Sequence, residues 1–288
     1  MKRAALIFMN DSYCVIFRRT LLALLCSICI LSCTNIKKKS STEPKPERLG
    51  SMGYIRIENL PDASSILPPP PTDDSAMFAL DQKISEKSFA LRENPRWELA
   101  TKDVMSLFPE PVNAFSCSLD APITEQNTPH LYTLLHRTYD DVGWFDKPLK
   151  DQYRRPQPFA VNNEPTCGVK YYNPKYRKSY PSGDAALGWA YALILSEIAP
   201  DKTEALTARG LAYGESVVIC NLRWYSDMIA GRVLGAAVVA RLHSEPEFLA
   251  DLDAAKDELA AIRAKGLQPE RDCEAENAAL TISLESSP

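Results

Sequence analysis

Histidine and glycine are scarce in this chain, and positive charge is not in excess. The 288 residues include three histidines (His130, His136 and His243) and 11 glycines. So few glycines disfavour Gly-rich phosphate loops and turn-dense β folds. The formal net charge of -4 argues against nucleic acid as the main partner. Any chemistry that needs several histidines therefore has very few residues to draw on.

The N-terminus has the pattern of an export signal. Arg18 and Arg19 precede an apolar run over residues 20–31, which is too short for a membrane-spanning helix of about 20 residues. Residues 1–32 are therefore predicted to be a signal peptide. Cys33 follows a small residue at the end of the run, as in a bacterial lipoprotein signal, although Leu31 departs from that pattern. We expect a periplasmic protein with a lipid anchor at Cys33; the alternative is ordinary cleavage nearby.

Proline and charge dominate the next segment. Residues 33–74 are predicted to be an extended tether, beginning with a lysine run and containing the sequence LPPPP at 67–71. We call residues 67–71 the polyproline strap and expect it to lie on the surface of the folded domain.

Four cysteines remain beyond the signal and Cys33. They are Cys117, Cys167, Cys220 and Cys273. An even number of widely spaced cysteines in an exported chain predicts two disulfides, with three possible connectivities, whereas buried free thiols are the alternative. Their spacing does not indicate a metal site, and no cofactor is expected.

The rest of the chain has helical periodicity. Apolar residues recur at three- and four-residue steps, and nothing alternates with period two for long enough to form a sheet. Helices are predicted over residues 74–91, 95–108, 129–141, 184–198, 202–220, 226–243 and 247–265. We predict an all-α single domain over 75–266, with loops at 109–128 and 142–181, and a tail over 267–288 that Cys273 would attach to the domain.

Three segments together resemble one enzyme family. They are KDQYRRPQPFA at 150–160, SYPSGD at 179–184 and GESVVICNLRWYSD at 214–227. Their order and spacing are similar to those of the bacterial class A non-specific acid phosphatases, within the helical superfamily of type 2 phosphatidic-acid phosphatases and vanadium haloperoxidases. The resemblance covers roughly residues 65–265. It implies the family's helical fold and phosphoryl transfer through a phosphohistidine.

The resemblance also implies a set of site residues, and the chain departs from it at the chemically active positions. The family pattern is K-x6-R-P, P-S-G-H and S-R-x5-H-x3-D. The matching residues are Lys150, Ser182, Gly183, Ser216 and Asp227. Gln157 and Val217 replace the two arginines that would bind phosphate. Asp184 replaces the histidine acid, and Arg223 replaces the histidine nucleophile.

These replacements remove the side chains that the family's phosphohistidine mechanism requires. An arginine stays protonated and offers no lone pair for attack on phosphorus. The three remaining histidines lie elsewhere in the sequence and are expected to have packing, surface or capping roles. Asp184 and Arg223 are opposite in charge, so we predict an ion pair closer than about 6 Å, with Asp227 on the other side of Arg223; the alternative is that each side chain points separately to solvent. Arg154 and Arg155 are further candidates for phosphate contact or for solvated loop charges.

Three functions remain open from the sequence. The favoured one is a catalytically inactive or severely impaired family member that acts as a binding or structural module of the cell envelope. The alternative is an active phosphomonoester hydrolase with an altered mechanism, in which Asp184 is base or nucleophile. An enzyme of another class, with its site elsewhere, is the third. The expected partners are phosphate or a phosphomonoester, and a membrane through the lipid anchor.

Overall fold

The computed structural model describes residues 53–104, 108–167, 178–282 and 284, and these contain helices but no strands. The predicted signal peptide and Cys33 lie outside the described residues. The helices, in chain order, are α1 (Ala76–Ser88), α2 (Pro95–Val104), α3 (Glu110–Asn113), α4 (Ser116–Leu119), α5 (Pro129–Tyr153), α6 (Phe159–Asn162), α7 (Gly183–Ile198), α8 (Thr203–Ile219), α9 (Tyr225–Leu242), α10 (Pro246–Ala264) and α11 (Cys273–Leu280). The all-α prediction is confirmed.

Helix α7 is the centre of the packing. It is apolar on nearly all sides, and α5, α8, α9 and α10 pack around it. A helix that is apolar all round is buried in the core of a protein. Helix α9 comes close to α7 through Gly231 and Gly235, because a Cβ on either glycine would lie 2.3 Å from a backbone oxygen of Ser182 or Ala186. This close approach fixes the start of α7 against α9.

Helix α5 is longer than the sequence predicted. The expected loop at 142–181 begins with three more helical turns, because Val142, Phe145 and Leu149 continue the apolar face and are buried. Pro148 lies inside the helix despite its missing N–H group. The expected loop at 109–128 likewise contains the short helices α3 and α4. The extra length of α5 brings residues 142–150 beside the start of α7.

The folded part of the chain begins before residue 75, the predicted domain boundary. Tyr54, Ile55 and Leu67 are buried in the main core, although this segment was predicted to be an extended tether. The Tyr54 and Ile55 backbone N–H groups donate to the two carboxylate oxygens of Asp141, at 2.9 and 3.0 Å. Because these bonds are buried and specific, residues 53–67 are part of the domain.

The polyproline strap also contacts the folded domain. The Tyr180 hydroxyl donates to the Pro68 carbonyl at 2.5 Å. Leu67 at its first position is buried.

The C-terminal segment is folded as well. Helix α11 lies within the predicted tail, where the Asp272 side chain caps its first turn and Glu276 and Ala279 are buried. Disulfides join Cys117 to Cys273 and Cys167 to Cys220, which confirms the prediction of two bridges and selects one of the three connectivities. The first bridge attaches α11 to α4. No helix among the described residues is long and apolar enough to cross a membrane.

Asp141 gives a testable pH dependence of stability. Burial raises its pKa from 3.8 to about 6. The folded chain therefore keeps a proton there that the unfolded chain has released between about pH 4 and 6, so this stabilisation is complete below about pH 4 and is lost as the pH rises through 6.

The quantity to compare is the free energy of unfolding of the native chain minus that of Asp141→Asn. We expect this difference to decrease by on the order of 2 kcal/mol from pH 4 to 7. Denaturant unfolding at several pH values measures this difference. Parallel stability profiles for the two proteins would contradict it.

Candidate active site

A small pocket of about 230 Å³ lies between α5, the start of α7 and the connection from α8 to α9. Four charged side chains line it, namely Asp146, Lys150, Asp184 and Arg223. Lys150, Asp184 and Arg223 come from three different motifs of the sequence. The fold therefore assembles one lysine, one arginine and two carboxylates around the same cavity.

The second motif forms the N-terminus of α7. The Ser182 hydroxyl accepts a hydrogen bond from the Ala185 N–H at 3.1 Å and so caps the helix. Gly183 and Asp184 are the first two helical residues, and both line the pocket. The Asp184 side chain is 34% exposed, so its carboxylate is accessible at the pocket mouth. Burial, with nearby Asp184, raises the pKa of Tyr139 on the opposite wall.

A tight turn after α8 positions Arg223. The Leu222 and Arg223 N–H groups both donate to the Val217 carbonyl, and Asn221 adopts a left-handed conformation (φ 58°). The turn brings Arg223 Nη2 to 3.7 Å from Asp184 Oδ2, and the Arg223 side chain is 8% exposed. The predicted ion pair between the two substituted positions is therefore present.

Lys150 has a partner that the sequence analysis missed. Its ammonium donates to Asp146, four residues earlier on α5. Burial raises the pKa of Asp146, whereas Lys150 opposes this shift by favouring the carboxylate. The spacing of four residues was the available signal, but the predicted helix ended at residue 141 and so excluded both residues.

Asp227 does not contact Arg223 in the way expected. The cationic partner of Asp227 is Arg155 instead. Arg155 donates to Asp227 Oδ1 at 2.5 Å, while the Ser179 hydroxyl and the Trp224 N–H donate to Asp227 Oδ2. Burial raises the pKa of Asp227, and these three donors oppose the rise. The residue that would orient a histidine in the family pattern is thus bonded to an arginine.

The same arginine connects α1 to the start of α9. Arg155 also donates to Asp81 at 2.7 Å, and Asp81 accepts from the backbone and side chain of Ser226. Arg155, Asp81 and Asp227 are all buried. Arg155 is therefore a structural cation between two carboxylates, so the hypothesis of a solvated loop charge is wrong for this residue, and Arg155 does not line the charged pocket. Arg154 is exposed at the end of α5.

The other family positions do not line the pocket. Gln157 is buried, and Val217 packs in an apolar cluster with Ala185 and Met228. The Ser216 hydroxyl donates to Asp103 at 2.7 Å, in a second buried network that includes Arg209. Neither arginine position of the family pattern thus supplies positive charge here.

The three histidines have packing or surface positions, as expected. His136 stacks on Phe108 with ring centroids 3.9 Å apart, and His130 is exposed near the start of α5. His243 follows α9, where its ring contacts the Val239 carbonyl and Glu197. None of them lines the pocket described above.

Comparisons with known proteins agree with the motif pattern. The PAP2 superfamily profile matches residues 139–247. The non-specific acid phosphatase of Providencia stuartii is 40% identical over 212 residues, which cover 73% of this chain and 86% of that protein. The acid phosphatase of Zymomonas mobilis subsp. mobilis is 32% identical over 209 residues, covering 71% and 78%. The non-specific acid phosphatase of Salmonella typhimurium is 35% identical over 195 residues, covering 67% and 78%.

The chain belongs to the non-specific acid phosphatases of the PAP2 superfamily. The profile match spans the charged pocket, from Tyr139 on α5 to beyond α9. The pocket therefore lies within the matched region and contains residues from all three sequence motifs, while its charged residues differ from the family pattern.

The buried Arg155 network makes a stability prediction. Changing Arg155→Met leaves Asp81 and Asp227 without their cation, and such a loss typically costs about 3–5 kcal/mol. We expect a clear fall in the free energy of unfolding, measured with denaturant. The control is Arg154→Met, which removes the same charge from the neighbouring exposed position. Equal effects of the two changes would contradict a structural role for Arg155.

Proposed function

We propose that this chain has lost phosphohistidine hydrolysis and acts as a non-hydrolytic binding or structural module of the bacterial cell envelope. The observation that carries the proposal is the Asp184–Arg223 ion pair at the two positions that are histidines in the family pattern. Arg223 has no lone pair with which to attack phosphorus at any physiological pH. Asp184 adds negative charge where the pattern has a group that protonates the leaving oxygen.

The charge of the pocket supports the same proposal. A transferred phosphoryl group is stabilised by cations around its equatorial oxygens. Here the Lys150 ammonium is bonded to Asp146, and the Arg223 guanidinium lies beside Asp184. With all four groups ionised, the formal charges cancel. A phosphate dianion would then meet two carboxylates as well as two cations.

An altered hydrolytic mechanism is the second candidate. The observation that favours it is the exposure of Asp184, since a carboxylate at the pocket mouth is able to approach a bound phosphomonoester. It would act as nucleophile or general base, with Lys150 and Arg223 as the cations. Phosphate or a phosphomonoester is the ligand class for either candidate.

Hydrolysis of p-nitrophenyl phosphate from acid to neutral pH tests the two candidates. We expect the native chain to be at least about 10³-fold slower than the Providencia relative, because the nucleophile position is an arginine. The combined change Gln157→Arg, Asp184→His, Val217→Arg and Arg223→His restores the family pattern and should gain activity.

Two results would contradict the loss of hydrolysis. One is native activity comparable with that of the relative. The other is slower native activity that disappears in Asp184→Asn while the exposed Asp151→Asn control retains it, which would establish the carboxylate mechanism.

The envelope location is part of the proposal. Two disulfides in the folded domain fit an oxidising compartment, and the sequence before residue 33 fits an export signal. We expect the chain expressed in a bacterium to incorporate labelled fatty acid and to fractionate with membranes. Cys33→Ala should abolish the labelling. Labelling of Cys33→Ala at the native level would contradict an anchor at this residue.

A further inference from the structure

Asp146 lies between a lysine and the beginning of a helix. Its side chain is 9% exposed and that of Lys150 is 14% exposed, so both lie mostly inside the pocket wall. A Cβ on Gly183 would lie 2.3 Å from Asp146 Oδ2 and 3.1 Å from Lys150 Nζ. The carboxylate therefore rests against the backbone of Gly183, the first residue of α7.

Two nearby features of the pocket favour an anion. The first turn of a helix has N–H groups without intrahelical partners and carries partial positive charge, which favours phosphate and carboxylate alike. A lysine ammonium beside it adds a full positive charge. In the family pattern Lys150 and the P-S-G turn contribute to binding of the phosphoryl group; here the Asp146 carboxylate lies beside both.

We propose that Asp146 is an internal anion that neutralises Lys150 beside the start of α7 and thereby excludes phosphate and phosphomonoesters from this pocket. The inference deepens the proposed function, because it rests on the same pocket, but it concerns binding and not hydrolysis. Asp146 lies outside all three motifs and is distinct from the substituted histidine and arginine positions. It is a residue that determines which ligand the pocket accepts.

The electrostatics of the pocket give the direction of the effect. Lys150 and Arg223 balance Asp146 and Asp184, so the native pocket is formally neutral. Asp146→Asn keeps the size of the side chain and gives the pocket one net positive charge, so it tests the charge of Asp146 and not its volume. Burial already disfavours the Asp146 carboxylate, as its raised pKa indicates, so the neutral amide is compatible with this environment.

Binding of inorganic phosphate to the purified full chain tests the proposal. Isothermal titration calorimetry at neutral pH and low ionic strength should show phosphate binding to Asp146→Asn at least about tenfold tighter than to the native chain. The matched control is Asp151→Asn, an exposed position on the same helix with the same change in net charge. Its phosphate affinity should remain that of the native chain.

A second change locates the new site. Adding Lys150→Met to Asp146→Asn should abolish the gain, because it removes the cation that the carboxylate had matched. If Asp146→Asn does not fold, as judged by circular dichroism, Asp146→Ser replaces it in both proteins. The proposal is wrong if the native chain binds phosphate as tightly as the folded variant. It is also wrong if Asp151→Asn gives an equal gain, or if the Lys150 change leaves the gain intact.

The experiment separates this inference from the proposed function. Asp146→Asn should bind phosphate without hydrolysing p-nitrophenyl phosphate, since Arg223 and Asp184 are unchanged. Hydrolysis by the native chain would contradict the loss of activity alone. Unchanged phosphate binding in the variant would contradict only the proposed role of Asp146.

Discussion

Two buried arginines in this fold are neutralised by carboxylates of the same chain, and the arrangement of several helices depends on these clusters. Removing a charged group from water is unfavourable by several kcal/mol unless a partner and hydrogen bonds compensate for it. Arg155 meets this condition between Asp81 and Asp227, and Arg209 meets it between Asp103 and Glu276. The first cluster connects α1 to α9, and the second connects α8 to α2 and α11. Each arginine therefore joins segments that are far apart in the sequence.

The same constraint explains the composition of the pocket. A phosphatase site that binds a dianion has unbalanced positive charge when it is empty, and the ligand neutralises this charge. In this chain Asp146 and Asp184 supply the negative charge, so Lys150 and Arg223 are balanced without a ligand. The four charges of the pocket therefore cancel within the chain. The substitutions in the pocket are thus matched in charge. Independent loss of single residues would not require such a match.

The sequence was sufficient for the fold class because α7 to α10 have long, regular apolar patterns. Ser182 marks the start of α7 and Pro246 marks the start of α10. It was insufficient where tertiary contacts override local signals. Pro148 and the charged residues around it looked like a loop, yet the buried face of Val142, Phe145 and Leu149 keeps α5 helical. Residues 54–67 looked like a tether because buried hydrogen bonds to Asp141 have no local signature.

The sequence motifs predicted which residues meet at the candidate site. Lys150, Gly183, Asp184 and Arg223 do meet at one pocket, since their segments are held by α5, α7 and the turn after α8. The partner of Asp227 was not predictable, because both Arg155 and Arg223 have suitable charge and only the packing of α1 decides between them. Asp81 on α1 draws Arg155 inward by offering a second carboxylate. Motif spacing identifies a site, whereas the residues that neutralise it come from outside the motif.

The main contacts that maintain this fold do not involve the four charged residues of the pocket. The Gly231 and Gly235 approach to α7, the two disulfides and the two buried arginine clusters use none of the four charged residues of the pocket. The pocket residues are therefore free to change sign without loss of the fold, provided that their own charges remain balanced. A family fold with an altered site follows from this separation, because function depends on a few residues placed on a framework that other residues stabilise. Membership of the acid phosphatase family therefore establishes the framework of this chain, and in our proposal the charge balance of its pocket determines which ligands it accepts.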